Sequence, residues 1–218
     1  MRTTMKKIKK KAAIFDLDNT IYPVSAIGEQ LFKGLFNLIK TDGRYQGDFS
    51  VVKEAIKKRP FQSVAKEFRF DERLTAKAME FLSDISLEEP IKPFNDYSEY
   101  RLQSHEGLLR FLVTTGFTKL QWSKIKQMGL ESDFDACFVV DPARSDRTKK
   151  DVFVEILAKY KLKPQEVLVI GDDVHSEIKA GKELGMETLL YDHAGGNQVK
   201  AEYDGDIITH YKELENFL

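Results

Sequence analysis

Four aspartates sit where apolar runs stop. Asp16 and Asp18 end "KAAIFDL" and open "DLDNT", and Asp172 and Asp173 close "VLVIGDD". A third apolar run, "FLV", stops at Thr114, Thr115 and Gly116. Asp16 and Asp18 are two apart and share a face if the chain stays extended; a bend directly after Asp16 brings Asp18 inward by a different geometry. A lone D-x-D pair is unspecific, but an apolar strand ending in all of "DLDNT", combined with the distant "VLVIGDD", is specific. Carboxylates gathered at short range disfavour one another's ionisation and need compensation. A hard, oxygen-seeking cation such as Mg2+ supplies it.

Three distant segments converge only if a scaffold aligns their ends. Apolar runs at Lys11–Leu17, Leu108–Gly116, Ala136–Val140, Glu166–Asp173, Met186–Asp192 and, more weakly patterned, Asp206–His210 read as buried strands. Helical spacing fills the intervals. "TKLQWSKIKQMGL" carries Leu120, Ile125 and Met128; "TKKDVFVEILAKYKL" carries Val152, Ile156, Leu157 and Tyr160; "VHSEIKAGKELG" carries Val174, Ile178, Ala180 and Leu184; and "YKELENFL" closes the chain as a short helix. Such alternation predicts an α/β fold, a Rossmann-like doubly wound parallel sheet, in which polar groups gather outside the carboxyl ends of the strands. Residues 21–89 break the alternation. They hold four helical runs, "SAIGEQLFKGLFNLIK", "FSVVKEAIKK", "FQSVAKEF" and "DERLTAKAMEFLSDI", with breaks at "TDGRYQGD" and Arg59-Pro60, and Pro90 and Pro93 mark the return. The expected organisation is a sheet domain of residues 1–20 and 90–218 with an inserted α-helical domain of residues 21–89, whose core contains Phe32, Phe36, Phe61, Phe68 and Phe81.

Composition narrows the partners. The 218 residues are 42% hydrophobic and 32% charged with a formal net charge of -1, an ordinary globular balance that argues against a large nucleic-acid footprint. No run approaches the ~18 apolar residues that cross a membrane. The basic start "MRTTMKKIKKK" leads into the first strand with no apolar signal segment. Cys137 is the single cysteine and sits in the apolar "FDACFVV", so no internal disulfide forms and a reducing, cytoplasmic setting is expected.

Through "FDLDNT", "FLVTTG" and "VLVIGDDVHSEIKAGKELGMETLL", the chain resembles the haloacid dehalogenase-like hydrolase superfamily, most of whose members are phosphatases with a mobile cap. The helical insertion directly after "DLDNT" is similar to the first type of cap. The resemblance implies a Mg2+-dependent phosphomonoester hydrolase for a small phosphorylated metabolite, working as a monomer or homodimer. It implies that Asp16 attacks phosphorus, and that Asp18 protonates the leaving oxygen and then activates water. Mg2+ is then held by Asp16, the Asp18 carbonyl and Asp172, while Thr114, with Thr115 as the alternative, bonds a phosphoryl oxygen.

Two motifs depart from the family's commonest form. The lysine motif lacks its "KP" pair and offers Arg147, Lys149 and Lys150. Register favours Lys149, which lies three and four residues before Val152 and Phe153 and shares their inward face. Where an aspartate is usual, this chain has Glu177; either it or Asp173 supports the metal. His175 between them reads as a loop residue. Tyr22, Arg44 and Tyr45 are candidate substrate contacts. A mutase, a dehalogenase-type hydrolase and a non-catalytic phospholigand-binding protein are the alternatives. Retention of Asp18 and Asp172 argues against the dehalogenase, which needs neither.

Overall fold

The computed structural model describes residues 8–59, 61–101, 107–193 and 203–218; the basic segment before Ile8 and the break at Pro60 lie outside them. Among the described residues the strands β1 (Ala12–Phe15), β2 (Leu109–Thr115), β3 (Ala136–Val140), β4 (Val167–Gly171), β5 (Glu187–Tyr191) and β6 (Asp206–Ile208) form one sheet in the order β3-β2-β1-β4-β5-β6. Every pair is parallel. The chain first builds outward through β2 and β3, then crosses back to place β4 on the other side of β1. The crevice between β1 and β4 is therefore the switch point at which this topology binds ligands.

The alternation of side chains divides the core. Ala12 and Ile14 of β1, with Val167 and Val169 of β4, meet α8 (Lys149–Tyr160) through Val152, Phe153 and Ile156. All three helix residues are fully buried, and burial of side chains this size stabilises by about 1.5–3 kcal/mol each. Ala13 and Phe15, with Leu168 and Ile170, face the opposite layer, which includes α6 (Asn95–Arg101) and α7 (Thr118–Gln127). There Phe15 meets Tyr100, Phe134 and Tyr211 at ring separations of 6.1, 5.8 and 6.3 Å.

The insertion is helical: α1 (Gly28–Leu31), α2 (Lys33–Asp42), α3 (Phe49–Lys58), α4 (Phe61–Glu67) and α5 (Glu72–Asp84). Its own core holds Leu35, Phe36, Ile39, Val52, Ile56, Phe61, Val64 and Leu74, with Phe32, Phe68 and Phe81 against it. Asp48 and Asp71 cap α3 and α5 by accepting from Ser50 N and from Arg73 N and Leu74 N. The cap rests on α7, where Lys119 pairs with Asp84 at 2.7 Å and Ser123 Oγ accepts from Leu87 N at 2.7 Å.

Three elements differ from their sequence pattern. The first run of the insertion is a 3-10 turn (Val24–Ala26) and two helices rather than one. The break at Phe32 lets α2 lie so close to α5 that a Cβ on Gly34 would stand 2.5 Å from the Phe81 ring. The helix expected from Val174 begins at Glu177 as α9 (Glu177–Glu183), because Asp173 to Ser176 form a turn. The C-terminal helix is a 3-10 turn, Tyr211–Asn216. Among the described residues no helix is long and apolar enough to cross a membrane.

Candidate active site

Asp16 follows the last residue of β1, and its amide donates to Ile170 O at 2.9 Å, so the side chain is held beside the end of β4. The strand then stops. Asn19 adopts φ 56°, a left-handed conformation that asparagine tolerates, and Ile21 N turns back to Leu17 O at 2.9 Å. Asp16 and Asp18, both beyond the end of β1, have different partners. Asp16 Oδ1 accepts from Lys149 Nζ at 2.5 Å. Asp18 accepts from Lys124 Nζ at 2.8 and 3.2 Å, from Gln121 Nε2 at 2.9 Å and from the Tyr22 hydroxyl.

Beyond β4, Asp172 comes to the same crevice with Thr20 Oγ1 at 3.3 Å. Glu177 reaches it from the first turn of α9. Its Oε1 accepts from Asp173 N at 2.8 Å and its Oε2 from Lys149 Nζ at 2.6 Å. Gly171 makes this approach possible, since a Cβ there would lie 2.1 Å from Glu177 Oε1. Asp16, Asp172 and Glu177 each offer an oxygen within 4.8 Å of the others.

This crowding sets the protonation of the group. Burial raises the affinity of Asp16 for a proton well above the ordinary value; Lys149 opposes this, and Glu177, Asp172 and Asp18 add to it. Asp172 is pushed up to about 7, by burial first and then by Glu177. Burial alone would lower Lys149, but Asp16 and Glu177 outweigh it and raise it. Burial would likewise raise Asp18, yet Lys124, Tyr22 and Gln121 prevail and hold it below the usual range. One lysine thus leaves the three-carboxylate group short of positive charge. An all-oxygen donor set with uncompensated negative charge fits a hard divalent cation such as Mg2+.

The pH dependence follows from these directions. A carboxyl whose folded pKa is raised stabilises the fold fully below its unfolded value, about 3.9 for aspartate, and this contribution is lost as pH rises through the folded value. For Asp172 the loss runs up to about pH 7. Mg2+ requires the ionised form. Its stabilising effect, about 2.7 kcal/mol at a hundred times Kd, is therefore expected to be larger at pH 8 than at pH 6. Thermal melts with and without Mg2+ check this. A shift independent of pH, or one undiminished in Asp172→Ala, contradicts this placement of the ion.

Of the remaining sequence candidates, Asp173 does not join the cluster. Its Oδ1 accepts from His175 N at 2.8 Å, whereas Glu177 lies in the cluster. Thr114 is buried, with Gln121 Nε2 2.6 Å from its Oγ1, whereas the next side chain along the strand, Thr115, points the other way and is exposed. Thr115 borders an open cavity of about 520 Å³ alongside Lys149 and His175. Lys150 and Arg147 reach outward to Glu183 and Glu155. Tyr22 is fully buried and reaches the site only through Asp18, so it presents no face to a substrate. Arg44 pairs with Asp42 and Asp71, and Tyr45 packs on Phe70 at 4.6 Å, both within the cap. Cys137 is half-buried, its thiol pushed up to about 11, mainly by burial.

Gln121 and Lys124 escaped the sequence reading. They stand on the same side of α7 as Ile125 and Met128, and a buried amide and ammonium within an apolar helical stripe were the available signal.

A parallel sheet with a helical insertion after β1 and an acidic site at its switch point defines a capped Rossmann-like hydrolase. The model of the haloacid dehalogenase-like hydrolases matches residues 10–185, and the chain belongs to that family. It is 24% identical to the glyceraldehyde 3-phosphate phosphatase of Methanopyrus kandleri, over 90% of each chain. In fold it is similar to the haloacid dehalogenase-like family protein SP0104 of Streptococcus pneumoniae, with a TM-score of 0.70, 19% identity and coverage of 96% and 99% of the two chains. It is also similar to YfnB of Bacillus subtilis, whose structure holds magnesium, with a TM-score of 0.60, 20% identity and coverage of 96% and 98%.

Proposed function

We propose that this chain is a Mg2+-dependent phosphomonoester hydrolase that turns over a small phosphorylated metabolite through a phosphoryl group on Asp16. The observation that carries the reading is Asp16 itself, a buried carboxylate at the switch point, 2.5 Å from Lys149 Nζ and grouped with Asp172 and Glu177. Residues 1–20 and 90–218 act as the catalytic core and residues 21–89 as the cap that selects the substrate.

An Asp16 oxygen attacks phosphorus and the ester P–O bond breaks, with Asp18 giving a proton to the departing oxygen. Water then attacks phosphorus, Asp18 takes its proton, and the bond to Asp16 breaks to release phosphate. Lys149 offsets the repulsion between Asp16 and an incoming anion, and the Thr114 hydroxyl donates to a phosphoryl oxygen. Asp16, the Asp18 carbonyl and Asp172 would hold Mg2+, supported by Glu177. When bound, the ion neutralises charge on the transferring group. Asp18 is held ionised, the form that serves the second step. The proton for the first can arrive with a phosphomonoester, whose last ionisation lies near pH 6.

Likeness to an archaeal glyceraldehyde 3-phosphate phosphatase over nine-tenths of both chains supports a short phosphorylated sugar as substrate. Phosphate release from a panel of triose phosphates, larger sugar phosphates, nucleoside monophosphates and small phosphoacids, with Mg2+ and with chelator, tests the reading. Triose phosphates are expected to lead by at least about tenfold in kcat/KM, the order of discrimination that pocket contacts provide. Absence of Mg2+-dependent release across the panel overturns it and leaves phospholigand binding without turnover.

A further inference from the structure

We propose that Lys124 is a positioning residue: with Gln121 and Tyr22 it fixes the Asp18 carboxylate in the orientation from which proton transfer occurs. The inference rests on the phosphatase reading above. It starts from the cost of a buried ammonium on the inner face of α7. Lys124 is 5% exposed, and its neighbours on that face, Leu120, Ile125 and Met128, are apolar. A charge there is tolerated only where a partner offsets lost hydration, and a well-packed hydrophobic residue would be no less stable. The partner is Asp18, met at 2.8 and 3.2 Å through both carboxylate oxygens. The Tyr22 ring lies beneath the ammonium at 5.6 Å.

The other two donors complete a cradle. The Tyr22 hydroxyl, fully buried, donates to Oδ1, and Gln121 Nε2 reaches Oδ2 at 2.9 Å. The same amide nitrogen lies 2.6 Å from Thr114 Oγ1, which ties Asp18 to the end of β2. Asp18 thus stands outside the three-carboxylate group, and its side chain keeps 29% of its surface open. That combination, one carboxylate held by three donors yet still accessible, suits a group that must meet a substrate oxygen at a set angle. Loss of about 1 Å in such placement costs on the order of a hundredfold in rate.

The measurement uses the full chain with saturating Mg2+ and two esters, p-nitrophenyl phosphate and glycerol phosphate. The parameter kcat/KM covers the steps up to the first irreversible one, formation of the phosphoryl group on Asp16. Nitrophenolate departs without a proton, whereas an alkoxide requires one. Lys124→Met is expected to lower kcat/KM on glycerol phosphate by about 100-fold and on the nitrophenyl ester by less than about 5-fold, with the loss in kcat and not KM. Tyr22→Phe, which removes a neutral donor and keeps the ring, should shift in the same direction by about 10-fold, so the idea remains testable if Lys124→Met fails to fold. On glycerol phosphate, Asp18→Asn with Lys124→Met should be no slower than Asp18→Asn alone, because a positioning effect vanishes with its target.

Equal losses on both esters, additive losses in the double variant, or a change confined to KM would overturn the inference and leave the phosphatase reading standing. A wild-type chain inert on both esters and on every member of the substrate panel above would remove the reading and the inference together.

Discussion

Asp16→Asn is expected to abolish turnover, by at least about 10⁴-fold, or roughly 5.5 kcal/mol in the barrier, while the protein stays folded. The amide matches the carboxylate in shape but is a poor nucleophile and a poor cation ligand. Its effect on stability should be small because two terms oppose. The substitution removes a buried charge that Glu177 and Asp172 repel, and it takes from Lys149 one of its two acceptors while Glu177 at 2.6 Å remains. Acid quenching during turnover should trap a phosphoryl group on Asp16 in the wild type and none in the variant. Phosphate release by Asp16→Asn at near the wild-type rate would refute the nucleophile assignment.

Lys149→Ala should lose about a hundredfold in rate, near 3 kcal/mol, through the missing electrostatic contact. It should also destabilise the fold, because Asp16 and Glu177 would be left buried without their shared cation; breaking such a pair costs about 3–5 kcal/mol. The destabilisation should be smaller at pH 5 than at pH 8. Falling pH favours the protonated form of Asp16, whose affinity for a proton is raised mainly by burial, and of Asp172, pushed up to about 7, so less compensation is needed. Mg2+ should restore part of the stability without restoring the rate. Lys150→Ala and Arg147→Ala remove exposed pairs with Glu183 and Glu155 and should stay within a few-fold of wild type. A large loss confined to either would move the phosphate-site cation away from Lys149.

The fold was legible wherever burial forces a pattern. Strands covered on both faces must be apolar along their length, so β1, β2 and β4 could be read from "KAAIF", "LRFLVTT" and "VLVIG". The loss of that pattern between Ile21 and Glu89 marked the helical insertion. Register along α8 put Lys149 on the face of Val152 and Phe153, and the structure places its Nζ within hydrogen-bonding distance of Asp16. The breaks within the insertion were less legible, because the close packing of Gly34 on Phe81 joins residues far apart in sequence.

The sequence by itself determined which chemical groups are present and which strand ends carry them, because strand periodicity and the turn residues after each run are local properties. Orientation was decided only by the tertiary structure. Asp16 and Asp18 are two residues apart just beyond the end of β1, yet one meets Lys149 from α8 and the other Lys124 from α7. Asp173 and Glu177 both carry charge near the crevice, yet Asp173 Oδ1 accepts from His175 N, while Gly171 leaves room for Glu177. Lys124 is separated from Asp18 by more than a hundred residues. Its role depends on how α7 packs against the sheet, a long-range contact that no local pattern encodes.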